Sequence, residues 1–297
     1  MTRGNQTPTL SEKHAQEVSC GRRFEFGKNW RAFLDHLTED HIAEAERSLR
    51  SMLEVDDLRG RIFLDAGSGS GLFSLAARRL GARVRSFDYD PQSVACTREL
   101  WTQYCPNDPD WLIEQGSLLD EDFMSSLGQF DVVYSWGVLH HTGAMWKSIE
   151  NVAARVGPGA RLFIGLYNDQ GWRSRVWTHV KQVYCSGPLG RALVPAVFFP
   201  YFFLAGIAGD IVKWRSPLRR YANYKKTRGM SMVHDWVDWL GGYPFEVARP
   251  DQVLDFLRER GFALRKLKSV GGGMGNNEFV FERMLPGPLH ERSNRAR

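Results

Sequence analysis

Leu64-Asp65-Ala66-Gly67-Ser68-Gly69-Ser70-Gly71 ends a short apolar run that begins at Arg61, and it opens a helical pattern over residues 72–80. A glycine-rich turn between a strand and a helix lets a ligand approach the backbone and aims the free N–H groups of the helix start at it. The glycines fall as GxGxG, with Leu72 where the dinucleotide fingerprint has its last glycine. No Gly-Lys-Ser/Thr follows, which excludes a triphosphate-binding loop. Asp65 puts a negative charge at the strand tip, where it disfavours a pyrophosphate and suits a cationic amino or sulfonium ligand.

Outward from this turn the same rhythm repeats. Apolar runs at 83–88, 111–115, 130–136 and 160–167 alternate with helical patterns at 91–104, 121–127 and 145–155, which predicts an α/β fold with a Rossmann-like, parallel, doubly wound sheet. A helix near 250–260, a strand from Phe262, a glycine-rich turn at 271–275 and a strand ending at Arg283 close the pattern. The last connection is too short for a crossover helix, so those two strands pair antiparallel. Asn276, Asn277 and Glu278 either contribute hydrogen bonds to a pocket or start an edge strand, and the edge strand is preferred. Upstream, residues 29–53 show helical spacing broken near Thr38.

The chain has 297 residues, 43% hydrophobic and 25% charged, which is ordinary globular usage. Its 39 basic and 34 acidic residues give +5, too mild for a nucleic-acid footprint by itself. The distribution is uneven: residues 170–230 hold eleven Lys or Arg against Asp210 alone, so this segment carries +10 and the remainder −5. Residues 192–212 within it are almost wholly apolar and long enough to cross a bilayer. A single crossing would separate the last two strands from the first five, and Pro195, Pro200, Gly206 and Gly209 are expected to interrupt a continuous helix. Four cysteines without CxxC spacing and an N-terminus without an apolar leader core point to a cytoplasmic chain with reduced thiols and no structural zinc.

The second strand ends at Asp88, in Ser86-Phe87-Asp88-Tyr89-Asp90-Pro91. A carboxylate at this tip accepts both hydroxyls of a ribose; Asp90 opens the next helix and is read as its cap. Together with residues 64–71, these residues, the Gly116–Glu121 segment, the 130–142 strand and its His pair, and the 156–169 turn and strand resemble the motifs of class I S-adenosylmethionine-dependent methyltransferases. They are most similar to the ubiquinone- and menaquinone-biosynthesis-like small-molecule branch. The resemblance implies a seven-stranded sheet ordered 3-2-1-4-5-7-6 and S-adenosylmethionine as cofactor. Asp65, Gly67, Ser68, Gly69 and Gly71 would surround the methionine moiety, Asp88 and Tyr89 the ribose, and Ser117 and Leu118 the adenine, with Trp136 and Gly137 at the fourth strand tip. Many relatives carry an acid at Ser117; here its hydroxyl or Asp120 would meet the adenine amino group.

Methyl transfer from a sulfonium is an in-line displacement that needs alignment, water exclusion and sometimes a base, and no metal. His140 and His141 follow the fourth strand and are the candidate bases, with His141 preferred. Their alternative role is packing or capping. Trp30, Tyr167, His234, Trp236 and Tyr243 are the candidate acceptor pocket, aromatic walls with a few polar groups; a packing linker explains residues 234–246 equally. The expected organisation is a tail and helical lid (1–56), the cofactor-binding core (57–168), a basic and apolar cap insertion (169–246), the closing helix and strands (247–284) and a tail (285–297). The apolar stretch and its basic flanks read as a packed cap, as a contact of residues 192–228 with an anionic membrane surface, or as a nucleic-acid site. The leading expectation is a methyltransferase acting on a small-molecule or lipid-linked acceptor, with O-methylation first. The alternatives are a tRNA or other RNA methyltransferase and an inactive cofactor-binding partner protein.

Overall fold

The computed structural model describes residues 8–212, 216 and 232–285. Three helices, α1 (Leu10–Ser19), α2 (Phe26–Leu34) and α3 (Glu39–Leu53), precede the sheet. Then β1 (Ile62–Ala66), α4 (Leu72–Arg79), β2 (Arg83–Asp88), α5 (Pro91–Tyr104), β3 (Trp111–Gln115), α6 (Glu121–Ser126), β4 (Phe130–Trp136), α7 (Met145–Ala153) and β5 (Val156–Tyr167) alternate as the sequence predicts. The helices α8 (Trp172–Cys185), α9 (Pro188–Val212) and α10 (Met232–Gly241) are followed by α11 (Pro250–Arg258), β6 (Phe262–Lys268) and β7 (Asn276–Arg283).

The seven strands lie in the order β3-β2-β1-β4-β5-β7-β6, with β7 antiparallel to both β5 and β6 and the others parallel. This is the predicted α/β, Rossmann-like order. Strand alternation sends Phe63 to one face and Leu64 to the other. Phe63 joins Leu49, Leu75 and Leu100 of α3, α4 and α5; Leu64 joins Met124, Ile149 and Leu257 of α6, α7 and α11. Both faces are therefore covered, as a mostly parallel sheet requires. The helix starts are legible from their caps: Asp90 accepts the Gln92 amide before Pro91, and Asp120 accepts the Phe123 amide.

Two expectations are corrected. β7 is internal, hydrogen-bonded on both sides, so Asn276–Glu278 start a central strand, and the edge belongs to β6. And α9 is one unbroken helix of 25 residues that contains both Pro195 and Pro200. Each proline removes one i→i−4 bond, but aromatic packing on one side holds the helix together: Phe198 lies on Trp177 and Phe199 and Phe202 on Trp236, at centroid distances of 5.4–5.6 Å. Most of the basic residues of the 170–230 segment, from Lys213 to Arg228, lie outside the described residues.

Candidate functional site

The C-terminal ends of β1, β2 and β4 open into a crevice of about 460 Å³, roofed by α1 and α2. The glycine turn shapes its floor. The amides of Gly67 and Ser68 both donate to the Phe87 carbonyl, at 2.9 and 3.0 Å, which folds the turn back over β2. Gly67 has φ +91°, and a Cβ there would sit 2.4 Å from Val138; a Cβ on Gly69 would sit 3.0 Å from the Trp30 indole. The turn is thus closely walled as well as left-handed. Gly71 does not face the crevice: it is the left-handed N-cap of α4 and packs against Thr97.

Asp65 and Asp88 line the crevice together. Asp65 is buried at the β1 tip and accepts the Ser74 hydroxyl at 2.5 Å, and Ser74 is in turn bonded to Ser86. Burial pushes its carboxyl up to about 7 against the hydrogen bond from Ser74. Asp88 accepts the amides of Gly69 and Asp90, both at 2.9 Å, and burial still pushes it up to about 6. Two acids whose charge is this poorly compensated form a ready site for a cation. Asp90 is the cap foreseen, and its other oxygen holds the Gly27 amide at 2.8 Å, pinning α2 over the crevice.

His140 and His141 belong to a 3₁₀ turn (Leu139–His141), and only His141 reaches the crevice. The His141 Nδ1 lies 2.6 Å from the Pro244 carbonyl oxygen. A carbonyl only accepts, so Nδ1 carries the proton and Nε2 keeps its lone pair. Burial first, then the Lys181 and Arg23 cations, hold this imidazole down to about 3, so it is neutral at physiological pH. His140 is fully buried behind it, with Nδ1 facing the Tyr167 amide at 3.4 Å and Nε2 unpartnered among the described residues. Burial drives it well below the ordinary histidine range. His140 does not line the crevice, so of the two candidate bases the structure brings only His141 to it.

Ser68, Tyr89, Ser117, Leu118, Trp136, Gly137, Trp30 and Tyr167 all line the crevice. Asp120 does not, because its carboxylate is spent on the cap of α6. Trp236 and Tyr243 are also elsewhere: Trp236 packs on α9, and Tyr243 joins the aromatic cluster of Phe24 and Tyr184. The side chain of His234 lies outside the described residues. Sequence reading missed His14, Arg23 and Tyr134, which also line the crevice, as do Phe26 and Asn276. The hydroxyl of Tyr134 and Oδ1 of Asn276 have no hydrogen-bond partner among the described residues, although both residues face the crevice. Arg23 lies 4.9 Å from the Tyr89 ring centroid and donates to the His141 carbonyl, joining the two ends of the site. The clustered aromatics of residues 24–30 were the available signal. Among the described residues no group of three His, Cys, Asp or Glu is placed to hold a metal ion.

Residues 64–162 match the methyltransferase-domain family. A ubiquinone biosynthesis O-methyltransferase of Coxiella burnetii is 24% identical over 176 residues, 59% of this chain and 72% of that protein. A tRNA U34 carboxymethyltransferase of Hahella chejuensis is 29% identical over 143 residues, 46% of this chain and 42% of that protein. Among solved structures, the magnesium protoporphyrin IX methyltransferase of Synechocystis PCC 6803 shares the fold with a TM-score of 0.50 at 13% identity, covering 94% of this chain and 99% of that one. The sheet order and the acid and glycine turn between β1 and α4 agree with that match: residues 64–162 are a methyltransferase domain, set in a sheet of the class I, S-adenosylmethionine-dependent order.

Proposed function

We propose that the chain transfers the methyl group of S-adenosylmethionine to a hydroxyl of a small, largely apolar or lipid-linked acceptor. The observation that carries this reading is His141: a neutral imidazole, fixed in one tautomer by the Pro244 carbonyl, on the wall of the crevice that also holds Asp65 and Asp88. The residues present fit the cofactor. Asp65 and Asp88 are carboxylates that burial holds above their usual range, and the glycine turn between them is so closely walled that a Cβ at Gly67 would collide with Val138. In this reading residues 57–168 and 247–284 form the cofactor core, and 1–56 and 169–246 cover it.

S-adenosylmethionine supplies an electrophilic methyl group on a sulfonium. Asp88 accepts the ribose hydroxyls, Asp65 faces the cationic end, and Ser117 and Leu118 border the adenine. Phe26, Trp30, Tyr134 and Tyr167 exclude water and hold the acceptor in line. His141 would take the acceptor's proton at Nε2 as the acceptor oxygen gains the methyl group that a bound S-adenosylmethionine would supply, the C–S electron pair leaving with the sulfur. A base held down to about 3 cannot ionise a resting alcohol or phenol. It suffices once methylation has begun, because an oxygen that is being alkylated becomes strongly acidic.

The test is calorimetric titration of the full chain with S-adenosylmethionine, S-adenosylhomocysteine and NAD in parallel, followed by turnover on phenolic and lipid-linked hydroxyl acceptors. Micromolar affinity for the two sulfur nucleosides and none for NAD is expected; NAD binding alone overturns the reading. Asp88→Ala should weaken S-adenosylmethionine at least about tenfold, the loss of a charge-assisted hydrogen bond. Unchanged affinity removes Asp88 from the ribose.

A second reading, methylation of tRNA, draws on the +10 segment and on the similarity to the Hahella protein. It requires RNA affinity that falls steeply with salt as phosphate contacts release counterions. A chain that binds the cofactor and methylates none of these acceptors would instead be an inactive partner module. The four free cysteines support the cytoplasm as its setting.

A further inference from the structure

The most unusual surface of the molecule is the outward side of α9. Leu189, Leu193, Val197, Tyr201, Leu204 and Ile211 follow one another at intervals of four, four, four, three and seven residues, which keeps them within one broad stripe of a helix. Each is 58–78% exposed. At 1.5 Å per residue the helix runs about 37 Å, longer than any stripe that scattered surface leucines would produce. Its one acid, Asp210, is buried, so the outward side carries no negative charge. Arg191 stands exposed near its start and Lys213 and Arg215 follow its end in sequence, within the segment that carries +10.

The opposite side of α9 is already committed. Val194, Phe198, Phe199 and Phe202 pack against Trp177 of α8 and Trp236 and Trp239 of α10. Both of those helices connect to the same sheet, one after β5 and the other before α11, so α9 lies along the body of the protein. It is apolar enough to cross a bilayer, but a crossing helix would have to abandon this aromatic seat. A cap over the crevice would bury the stripe, and here it is open.

We propose that α9 is a monotopic membrane-docking element, lying parallel to the surface of an anionic bilayer with its outward stripe among the upper acyl chains and Arg191 near its start against the headgroups. Apolar area on one side and cations at the flanks are the two contributions that interfacial helices combine. The occupant follows from charge: a second copy seated on this stripe would bring two +10 segments together, whereas an anionic lipid surface neutralises them. The proposal stands on the stripe and the charge, and it is independent of which acceptor the crevice takes.

The experiment is co-flotation of the full chain with vesicles of phosphatidylcholine alone and of phosphatidylcholine with one quarter phosphatidylglycerol, at low and at high salt. A double variant, Val197→Glu with Leu204→Glu, changes only exposed positions; an unchanged melting temperature verifies that it folds. The wild type should float with the phosphatidylglycerol vesicles at low salt, at least tenfold more than with phosphatidylcholine alone, and release as salt rises. The double variant should lose at least tenfold in partition. Absence of flotation at low salt overturns the proposal, as does a double variant that floats like the wild type. A wild-type dimer in sedimentation velocity that the two glutamates dissolve, with no vesicle partition, would make the stripe a contact between copies and also overturn it.

Discussion

Replacing His141 by glutamine should lower kcat with a hydroxyl acceptor by about two to four orders of magnitude, the range of a lost general base, while the Kd for S-adenosylmethionine stays within about twofold. Glutamine keeps the approximate size of the imidazole and an N–H for the Pro244 carbonyl, but it offers no nitrogen lone pair where Nε2 stood. The pH profile adds a second check. His141 acts in its neutral form, and burial beside Lys181 and Arg23 holds it down to about 3. Its protonation therefore begins to cost rate only when the pH falls towards that value. Between pH 5 and 8 the His141 contribution to kcat should be flat, and an inflection near 6.5 that the glutamine variant abolishes would mean that the imidazole is solvated during turnover. His140→Ala is the control: it removes a fully buried ring that meets His141 edge-on and Tyr167 at a tilt, so it should lower the melting temperature and disturb kcat far less than His141→Gln. Equal losses of rate in both variants would make the pair a structural unit and leave the base unassigned.

Affinity for S-adenosylmethionine should rise steeply with pH. In the free protein Asp65 and Asp88 are pushed up to about 7 and about 6 by burial. A cation in the crevice favours both ionised forms, so binding below these values must release protons. If both carboxylates ionise fully on binding, affinity gains up to about a thousandfold between pH 5 and pH 8. The heat of binding at pH 6 should then depend on the ionisation enthalpy of the buffer. The same raised values set the stability of the cofactor-free chain. The unfolded acids ionise near 4 and the folded ones two to three pH units higher, so these two groups withdraw stability as pH rises from about 4 to 7. Bound cofactor returns it, and the melting-temperature gain on adding S-adenosylmethionine should be larger at pH 8 than at pH 5. Asp65→Asn should flatten most of the pH dependence. An affinity that is constant across the range would show that the cofactor is taken without ionising either acid.

The Asp65 and Asp88 side of the crevice was legible because a doubly wound sheet places its strand tips by chain order. Asp65 and Asp88 each end a strand, and the alternation of strand and helix sends both tips to the same edge. Asp90 was equally readable as a cap, since Pro91 follows it. The His141 side was not legible to the same degree. The choice between His140 and His141 turned on strand alternation, whereas those residues form a 3₁₀ turn, which rotates each successive side chain by about a third of a circle. His141 faces the crevice for that reason. Trp236 and Tyr243 looked like pocket walls because aromatics cluster there, but α10 turns Trp236 towards α9. The prolines of α9 gave a break signal that was overridden by aromatic packing from residues more than 30 positions away in sequence, such as Trp236. Tyr134 carried no signal at all: within a β-strand pattern it reads as core, and it is buried there against Phe63 and Phe73 while also bordering the crevice.

The loop that follows α10 joins parts of the site that are distant in sequence. The Tyr243 carbonyl accepts the Phe24 amide at 2.9 Å, at the entrance to the α2 roof. The Pro244 carbonyl fixes the His141 tautomer. The Glu246 amide donates to the His140 carbonyl at 2.9 Å, and its carboxylate accepts the Met145 amide at the start of α7. Roof and base therefore hang on neighbouring peptide groups of one short segment. The placement of the roof over the crevice and the tautomer of His141 are thereby set together by one stretch of four residues, 243–246.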